Sequence, residues 1–181
     1  GRPIQETYYQ PMHEKYTEVG WSFLACEHRG TGSITQFNSD KGLVNIGNTF
    51  EIFEDCIHDI QGWINFAKNL SYKRIWLQAH SLGSSKVAYY MNQVRSQDIE
   101  GLILISPSDM IGLVHDPIGI KDHEKLLPEA IELIRQGKPR QLLSHYLWES
   151  VMLSAQSYIS FFGENAKDAI FNYSNQKLGW Y

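Results

Sequence analysis

The fold is decided by residues 73–90, which read KRIWLQAHSLGSSKVAYY. The first part is a short apolar run of strand length, and after a few small residues an amphipathic helical pattern continues to about Val94. Ser81 lies at the junction, with Ala79 and Gly83 two residues to either side. Small residues at these two positions allow a strand backbone to bend closely onto the start of a helix. The pattern predicts a serine at a helix N-terminus, where free N–H groups favour negative charge.

The sequence Ala79-His80-Ser81-Leu82-Gly83 resembles the nucleophile elbow of the α/β-hydrolase superfamily, whose usual pattern is Gly-x-Ser-x-Gly. A second motif matches the same superfamily, because the apolar run 21–26 leads into Arg29-Gly30-Thr31-Gly32 at the expected distance before the elbow. The resemblance implies a serine hydrolase with a helical cap, of which this chain holds the central part. The alternative is that Ser81 simply caps a helix with a glycine nearby.

The fold class that we expect is α/β. Apolar strands at about 21–26, 74–79 and 101–106 alternate with helices, which implies a parallel sheet with helices on both faces. Right-handed crossovers place the carboxyl ends of such strands at one edge of the sheet. We therefore expect Ser81, the Arg29 loop and the 106–109 turn to meet at that edge.

Two local expectations follow from the polar residues between the first two strands. Residues 33–47 are polar and contain glycine, which is typical of a loop. Asn48 and Glu51 have the spacing of a capping box and predict the start of a helix of about 22 residues.

We interpret Arg29 mainly as a structural charge that ties its loop down, with a substrate-facing role second.

The chain divides into two predicted domains. Residues 1–110 form a partial α/β-hydrolase core with the nucleophile elbow, and residues 111–181 form an all-helical cap or lid. The cap carries many aromatic residues, which suit either an apolar substrate pocket or the cap's own core. These residues are Tyr146, Trp148, Tyr158, Phe161, Phe162, Phe171 and Tyr173.

Composition narrows the classes of function. The 181 residues include 16 basic and 20 acidic side chains, and no basic patch predicts nucleic-acid binding. No run of 18 apolar residues predicts a membrane span. Cys26 falls in an apparent strand and Cys56 on the apolar side of an apparent helix, so both are expected to be buried thiols, and neither has a metal-type neighbour at a useful spacing. We expect no metal or cofactor, and a cytoplasmic location.

Ser81 is the expected nucleophile, and the backbone N–H of Leu82 is expected to stabilise the oxyanion. The resemblance implies an acid and a histidine on later strands, and no such strands follow in this sequence. Base and acid are therefore expected from segments outside this chain. Asp109, just past a strand end, is a candidate acid. His115 and His123 are weaker candidates for the base.

The predicted activity is hydrolysis of a carboxylic ester, a thioester or a related acyl substrate, expected to be a small apolar molecule. Two alternatives stay open, namely a non-catalytic binding or relic module and an acyltransferase that uses the same serine. Unpaired sheet edges fold poorly by themselves. We therefore expect the chain to fold with missing segments of the same protein, with a second chain, or by self-association.

Overall fold

Helices and short strands alternate along the computed structural model, which describes residues 6–115 and 120–173. The strands are β1 (Thr35–Ser39), β2 (Gly42–Ile46), β3 (Ile75–His80) and β4 (Ile99–Ile105). The helices are α1 (Glu6–Glu18), α2 (Cys56–Asn69), α3 (Leu82–Val94), α4 (Gly112–His115), α5 (His123–Arg135) and α6 (Ala155–Phe162). The fold is therefore α/β.

The strand that precedes Ser81 lies in a small parallel sheet. β3 pairs with β4 in parallel from Ile75↔Ile99 to His80↔Ile105, and α3 lies between them in the chain. The sequence predicted both strands to within two residues, and their parallel pairing is confirmed. Because the strands are parallel, the residues that follow His80 and Ile105 leave the sheet at the same edge.

The prediction of a strand at 21–26 is wrong. These residues are extended, but no ladder to another strand forms among the described residues. Side chains hold the segment instead, since Trp21 packs edge-on against Trp76 with ring centroids 5.9 Å apart and the Trp63 indole donates to the Glu27 carbonyl at 2.7 Å. Cys26 is exposed, against the expectation of a buried thiol, because no strand covers it; Cys56 is buried as predicted.

The predicted loop at 33–47 contains an antiparallel hairpin. β1 and β2 pair from Thr35↔Ile46 to Ser39↔Gly42, so that Asp40 and Lys41 form the turn. Apolar residues on both sides of an Asp-Lys-Gly turn were the available signal. The polar residues of the stretch, among them Gln36, Asn38 and Asn45, concealed that signal.

The capping box predicted at Asn48 does not form. Two short 3₁₀ turns, Asn48–Phe50 and Phe53–Asp55, come first, and α2 begins only at Cys56. Asn48 makes no capping bond to α2, and the Glu51 carboxylate turns inward to Lys86. The Glu51 side chain therefore belongs to a buried ion pair and does not form the helix cap that the local sequence pattern had predicted.

The main hydrophobic core joins the region after residue 110 to earlier elements. Phe53 lies in one cluster with Met110, Leu126, Tyr158 and further apolar residues of α5 and α6. This region is not purely helical, because isolated antiparallel bridges join Leu142 to Ser154 and Leu147 to Val151. The all-helical cap and the domain division at residue 110 stay predictions. No helix in the described ranges is long and apolar enough to cross a membrane.

The aromatic residues of the tail divide between core and surface. Tyr158, Phe161 and Phe162 are buried in the core cluster. The exposed members are Tyr146, Trp148 and Tyr173. Residues 164–173 form turns and bends and contain no helix.

One buried carboxyl group has no hydrogen-bond partner. Asp168 is 1% exposed, and neither of its oxygens is hydrogen-bonded within the part of the chain that the structure describes. Burial, with a smaller contribution from the charge of Glu54, raises the pKa of Asp168 from 3.8 to about 8. The side chain is therefore protonated in the folded protein near neutral pH and ionised in the unfolded chain.

The free energy of unfolding is expected to depend on pH through Asp168. The folded state keeps the proton that the unfolded state loses above its ordinary pKa. The proton linkage of Asp168 therefore has no effect on stability below about pH 4 and lowers stability by about 1.4 kcal/mol per pH unit as the pH rises towards 8. We predict that Asp168→Asn matches the wild type in urea unfolding at pH 4 and exceeds it increasingly up to pH 8.

A matched control is Asp40→Asn, at the exposed turn of the β1–β2 hairpin. Its stability should follow the wild-type dependence on pH at every point. Parallel curves for the wild type and Asp168→Asn would contradict the assignment of a buried, protonated Asp168.

Candidate active site

Ser81 occupies a strained bend between β3 and α3. Its backbone has φ 54° and ψ −129°, and residues other than glycine rarely adopt such a positive φ. The Ser81 N–H donates to the Ile105 carbonyl at 3.0 Å, which ties the bend to the end of β4. The strand, the bend and the helix thus have the order and sharpness that the sequence predicted.

Ala79 and Gly83 face each other across this bend. A Cβ atom at residue 83 would lie 3.6 Å from that of Ala79, an ordinary van der Waals contact. The Ser84 hydroxyl also donates to the Ala79 carbonyl at 3.1 Å. The bend therefore brings residues 79 and 83 together, which explains why both of them are small.

The residues after Ser81 present backbone donors. Leu82 is the first residue of α3, so helix geometry gives its N–H no acceptor four residues earlier. The positive end of the helix dipole lies at the same place. The side chain of Leu82 packs against the main core, which fixes the position of the Leu82 peptide group. This geometry is suitable for oxyanion stabilisation, and the role of Leu82 remains a prediction.

A second serine meets Ser81. The Oγ atoms of Ser81 and Ser108 lie 2.8 Å apart, at hydrogen-bond distance. The expected convergence of the elbow with the 106–109 turn is therefore confirmed. The sequence analysis did not assign Ser108, although its position three residues after the end of β4 was a usable signal.

Asp109 lies next to this pair in the chain, and its carboxylate has a structural partner. Its Oδ1 accepts a hydrogen bond from the Gly112 N–H at 2.7 Å, at the start of α4. This interaction is typical of a turn residue that precedes a short helix. The candidate role of Asp109 as an acid stays a prediction.

Of the two candidate bases, the structure describes the side chain of His123, which bonds elsewhere than to Ser81. His123 Nδ1 lies 2.8 Å from the Tyr158 hydroxyl, whose pKa burial raises, and the two rings stack. His80 is exposed, and the side chain of His115 lies outside the described part of the chain. Among the histidines whose side chains the structure describes, none hydrogen-bonds the Ser81 hydroxyl.

A comparison with protein-family models matches residues 5–155 to the family described as serine aminopeptidase, S33. The chain belongs to this α/β-hydrolase family. The matched residues include the Arg29 loop, Ser81 and Ser108, so the two motifs that carried the resemblance lie within the match. Comparisons with curated proteins and with solved structures give no match.

The Arg29 loop of this α/β-hydrolase is tied to α2. The guanidinium group of Arg29 bonds to Asp59 at 2.9 Å and to Asp55 at 2.8 Å, and the Arg29 N–H also donates to Asp59. The prediction that Arg29 holds its loop down is therefore confirmed. No group of three or more potential metal ligands occurs in the described ranges.

The hydrolase also contains a buried ion pair next to the elbow helix. Lys86 of α3 donates to Glu51 at 2.5 Å, and both side chains are nearly inaccessible to solvent. His28 Nδ1 lies 3.4 Å from the Glu51 carboxylate. Burial alone would raise the pKa of Glu51, but His28 and Lys86 outweigh it, so this pKa lies below its ordinary value. Sequence reasoning missed the pair because its partners lie 35 residues apart.

Cys56 lies beside the same cluster, with its Sγ 3.8 Å from the Lys86 carbonyl. Burial raises the pKa of Cys56 to about 12, so the group stays a neutral thiol. The cluster therefore acts as a structural clamp between α3 and the segment that follows the hairpin.

Removing one member of a buried ion pair leaves an uncompensated charge. We predict that Lys86→Met lowers the free energy of unfolding by about 3–5 kcal/mol, measured by urea denaturation of the complete protein. The double variant with Glu51→Leu should recover much of that loss, because no charge then stays buried.

Arg74→Met is the control, since Arg74 forms an exposed ion pair with Glu100. Solvent screens this pair, so its loss should leave the unfolding midpoint nearly unchanged. Equal destabilisation by Lys86→Met and Arg74→Met would contradict a special role for the buried pair.

Proposed function

We propose that this α/β-hydrolase is a serine hydrolase that acts on a carboxylic ester, a thioester or a related acyl substrate. The observation that carries the proposal is the strained conformation of Ser81 at the N-terminus of α3. Strain of this kind is held where a side chain must be presented in one orientation. A plain helix cap needs no positive φ, and the Ser81 side chain makes no capping bond to α3.

The proposed reaction proceeds through an acyl-enzyme. The Ser81 Oγ attacks the carbonyl carbon as a base removes its proton, and the oxyanion of the tetrahedral intermediate is stabilised by the Leu82 N–H. The leaving group departs with a proton from the protonated base. Water then attacks the acyl group, and Ser81 regains its proton as the acid product leaves.

Base and acid are proposed to come from segments outside this chain. The supporting observation is that the hydroxyl of Ser81 is hydrogen-bonded to Ser108 and to none of the histidines whose side chains the structure describes. The sheet favours the same proposal. Over the described ranges β3 and β4 each pair on one side only, so further strands from missing segments, a second chain or self-association would complete the sheet.

The substrate is proposed to be apolar on its acyl side. The supporting observation is that Leu82, the residue after Ser81, is apolar and only partly buried, so an acyl group on Ser81 would have an apolar neighbour. The description of the family adds amide bonds at peptide N-termini as a second substrate class. Transfer of the acyl group to an alcohol or amine would use the same acyl-enzyme, and a binding module without catalysis is the alternative of another class.

Modification of Ser81 tests the proposal. In the complete protein, a fluorophosphonate probe should label Ser81, and Ser81→Ala should reduce ester turnover by a factor on the order of 10⁶. The assays are cleavage of p-nitrophenyl esters of increasing chain length and of aminoacyl p-nitroanilides. Esters with longer chains should give the higher kcat/KM, because the substrate is proposed to be apolar on its acyl side.

Ser106→Ala is the matched control, because Ser106 is exposed in the same turn region. This variant should retain labelling and turnover. Wild-type turnover in Ser81→Ala would reject the proposal, and a protein that neither reacts with the probe nor cleaves any substrate would favour the binding module. Acyl transfer to an added alcohol in preference to water would identify an acyltransferase.

Asp109 can be tested separately. We expect Asp109→Asn to keep turnover within a few fold, because an asparagine side chain still accepts the bond from the Gly112 N–H. A fall of roughly 10⁴ in kcat would instead assign the role of triad acid to Asp109. Asp109→Ala should destabilise the start of α4 by about 1 kcal/mol, seen as a lower melting temperature.

A further inference from the structure

The hydroxyl of Ser108 lies 2.8 Å from that of Ser81 and has no assigned role. We propose that Ser108 is a positioning residue that donates a hydrogen bond to the Ser81 Oγ and holds it in the orientation for attack. This inference rests on the proposed function, because it concerns the reactivity of Ser81.

The chain presents Ser108 on a constrained turn. β4 ends at Ile105, whose carbonyl accepts the Ser81 N–H, so the start of the turn is fixed to the elbow itself. Ser106 follows with φ 45°, and the ring of Pro107 restricts the next residue. These restraints place the Ser108 Cα without any contribution from its hydroxyl.

The far side of the turn is equally restrained. The Asp109 carboxylate accepts the Gly112 N–H at 2.7 Å, and the Asp109 carbonyl accepts the Leu113 N–H at 3.2 Å. Met110 is buried in the main core. Ser108 is therefore held from both directions, and its contact with Ser81 is a property of the framework.

The direction of the hydrogen bond follows from the chemistry of Ser81. A hydroxyl has one proton to donate and two lone pairs that accept. The single proton of Ser81 must point to the base, so the bond between the two hydroxyls is donated by Ser108. This arrangement leaves the nucleophile free to lose its proton while its oxygen stays in place.

Such a bond favours the states in which the Ser81 oxygen is most negative. A hydrogen bond to an oxygen that carries negative charge is stronger than a bond to a neutral oxygen. The Ser81 Oγ gains that charge during attack and again when it leaves the acyl group. Ser108 should accordingly assist formation and hydrolysis of the acyl-enzyme and contribute little to substrate binding.

The experiment measures the rate at which a fluorophosphonate labels Ser81 in the complete protein. Loss of this hydrogen bond should lower the maximum labelling rate of Ser108→Ala roughly tenfold, with little change in the probe concentration that gives half of that rate. The plateau of the pH profile should fall while its midpoint stays fixed, because Ser108 does not titrate in this range.

Threonine and valine at position 108 form a matched pair, since they share a shape and differ by the hydroxyl. Ser108→Thr should recover most of the labelling rate, and Ser108→Val should resemble Ser108→Ala. Ser106→Ala serves as the neighbouring control and should label at the wild-type rate. Melting temperatures of all four variants show whether each is folded.

The outcomes separate the two proposals. Failure of the probe to label Ser81 in the wild type would overturn the proposed function and the role of Ser108 with it. Equal labelling rates in the wild type, Ser108→Ala and Ser108→Val would overturn the role of Ser108 alone. A slow Ser108→Thr with a lowered melting temperature would show a packing role and would also overturn the inference.

Discussion

The left-handed backbone of Ser81 is the constraint on which the rest of the site depends. Holding a residue with a side chain at φ 54° costs free energy, on the order of 1–3 kcal/mol for sparsely populated conformations. The hydrogen bond from Ser81 to Ile105 and the packing of Ala79 against Gly83 stabilise the bend and offset this free energy. One bend thereby fixes three things together, namely the serine, the first donors of α3 and the distance to the neighbouring strand end.

The helix that follows the bend is held by a second, electrostatic constraint. Lys86 lies one turn into α3 and makes a buried ion pair with Glu51, while Arg29 ties the preceding loop to Asp55 and Asp59. A buried pair with good geometry is costly to break and gives little net stability. Its consequence here is orientation, since α3 and the segment from the hairpin to α2 can meet only where the two charges compensate each other.

Sequence reasoning succeeded where a pattern was local and failed where a partner was remote. The elbow, β3, α3 and β4 each have their pattern within a few residues, and all of them are confirmed. The strand at 21–26 failed because a strand needs a neighbour, and the described residues provide none. The prediction of a capping box with Glu51 failed because the Glu51 carboxylate pairs with Lys86, 35 residues away.

The sequence alone determined the α/β class, the bend at Ser81 and the structural role of Arg29, because small residues, apolar periodicity and a charge beside two glycines act over short distances. Only the tertiary structure decided that Ser108 meets Ser81, that Lys86 and Glu51 are buried together, and that Asp168 is buried with no hydrogen-bond partner among the described residues. These features depend on which strand ends and helix faces come into contact. Contacts between distant residues follow from packing, and a single sequence has no periodicity that encodes them.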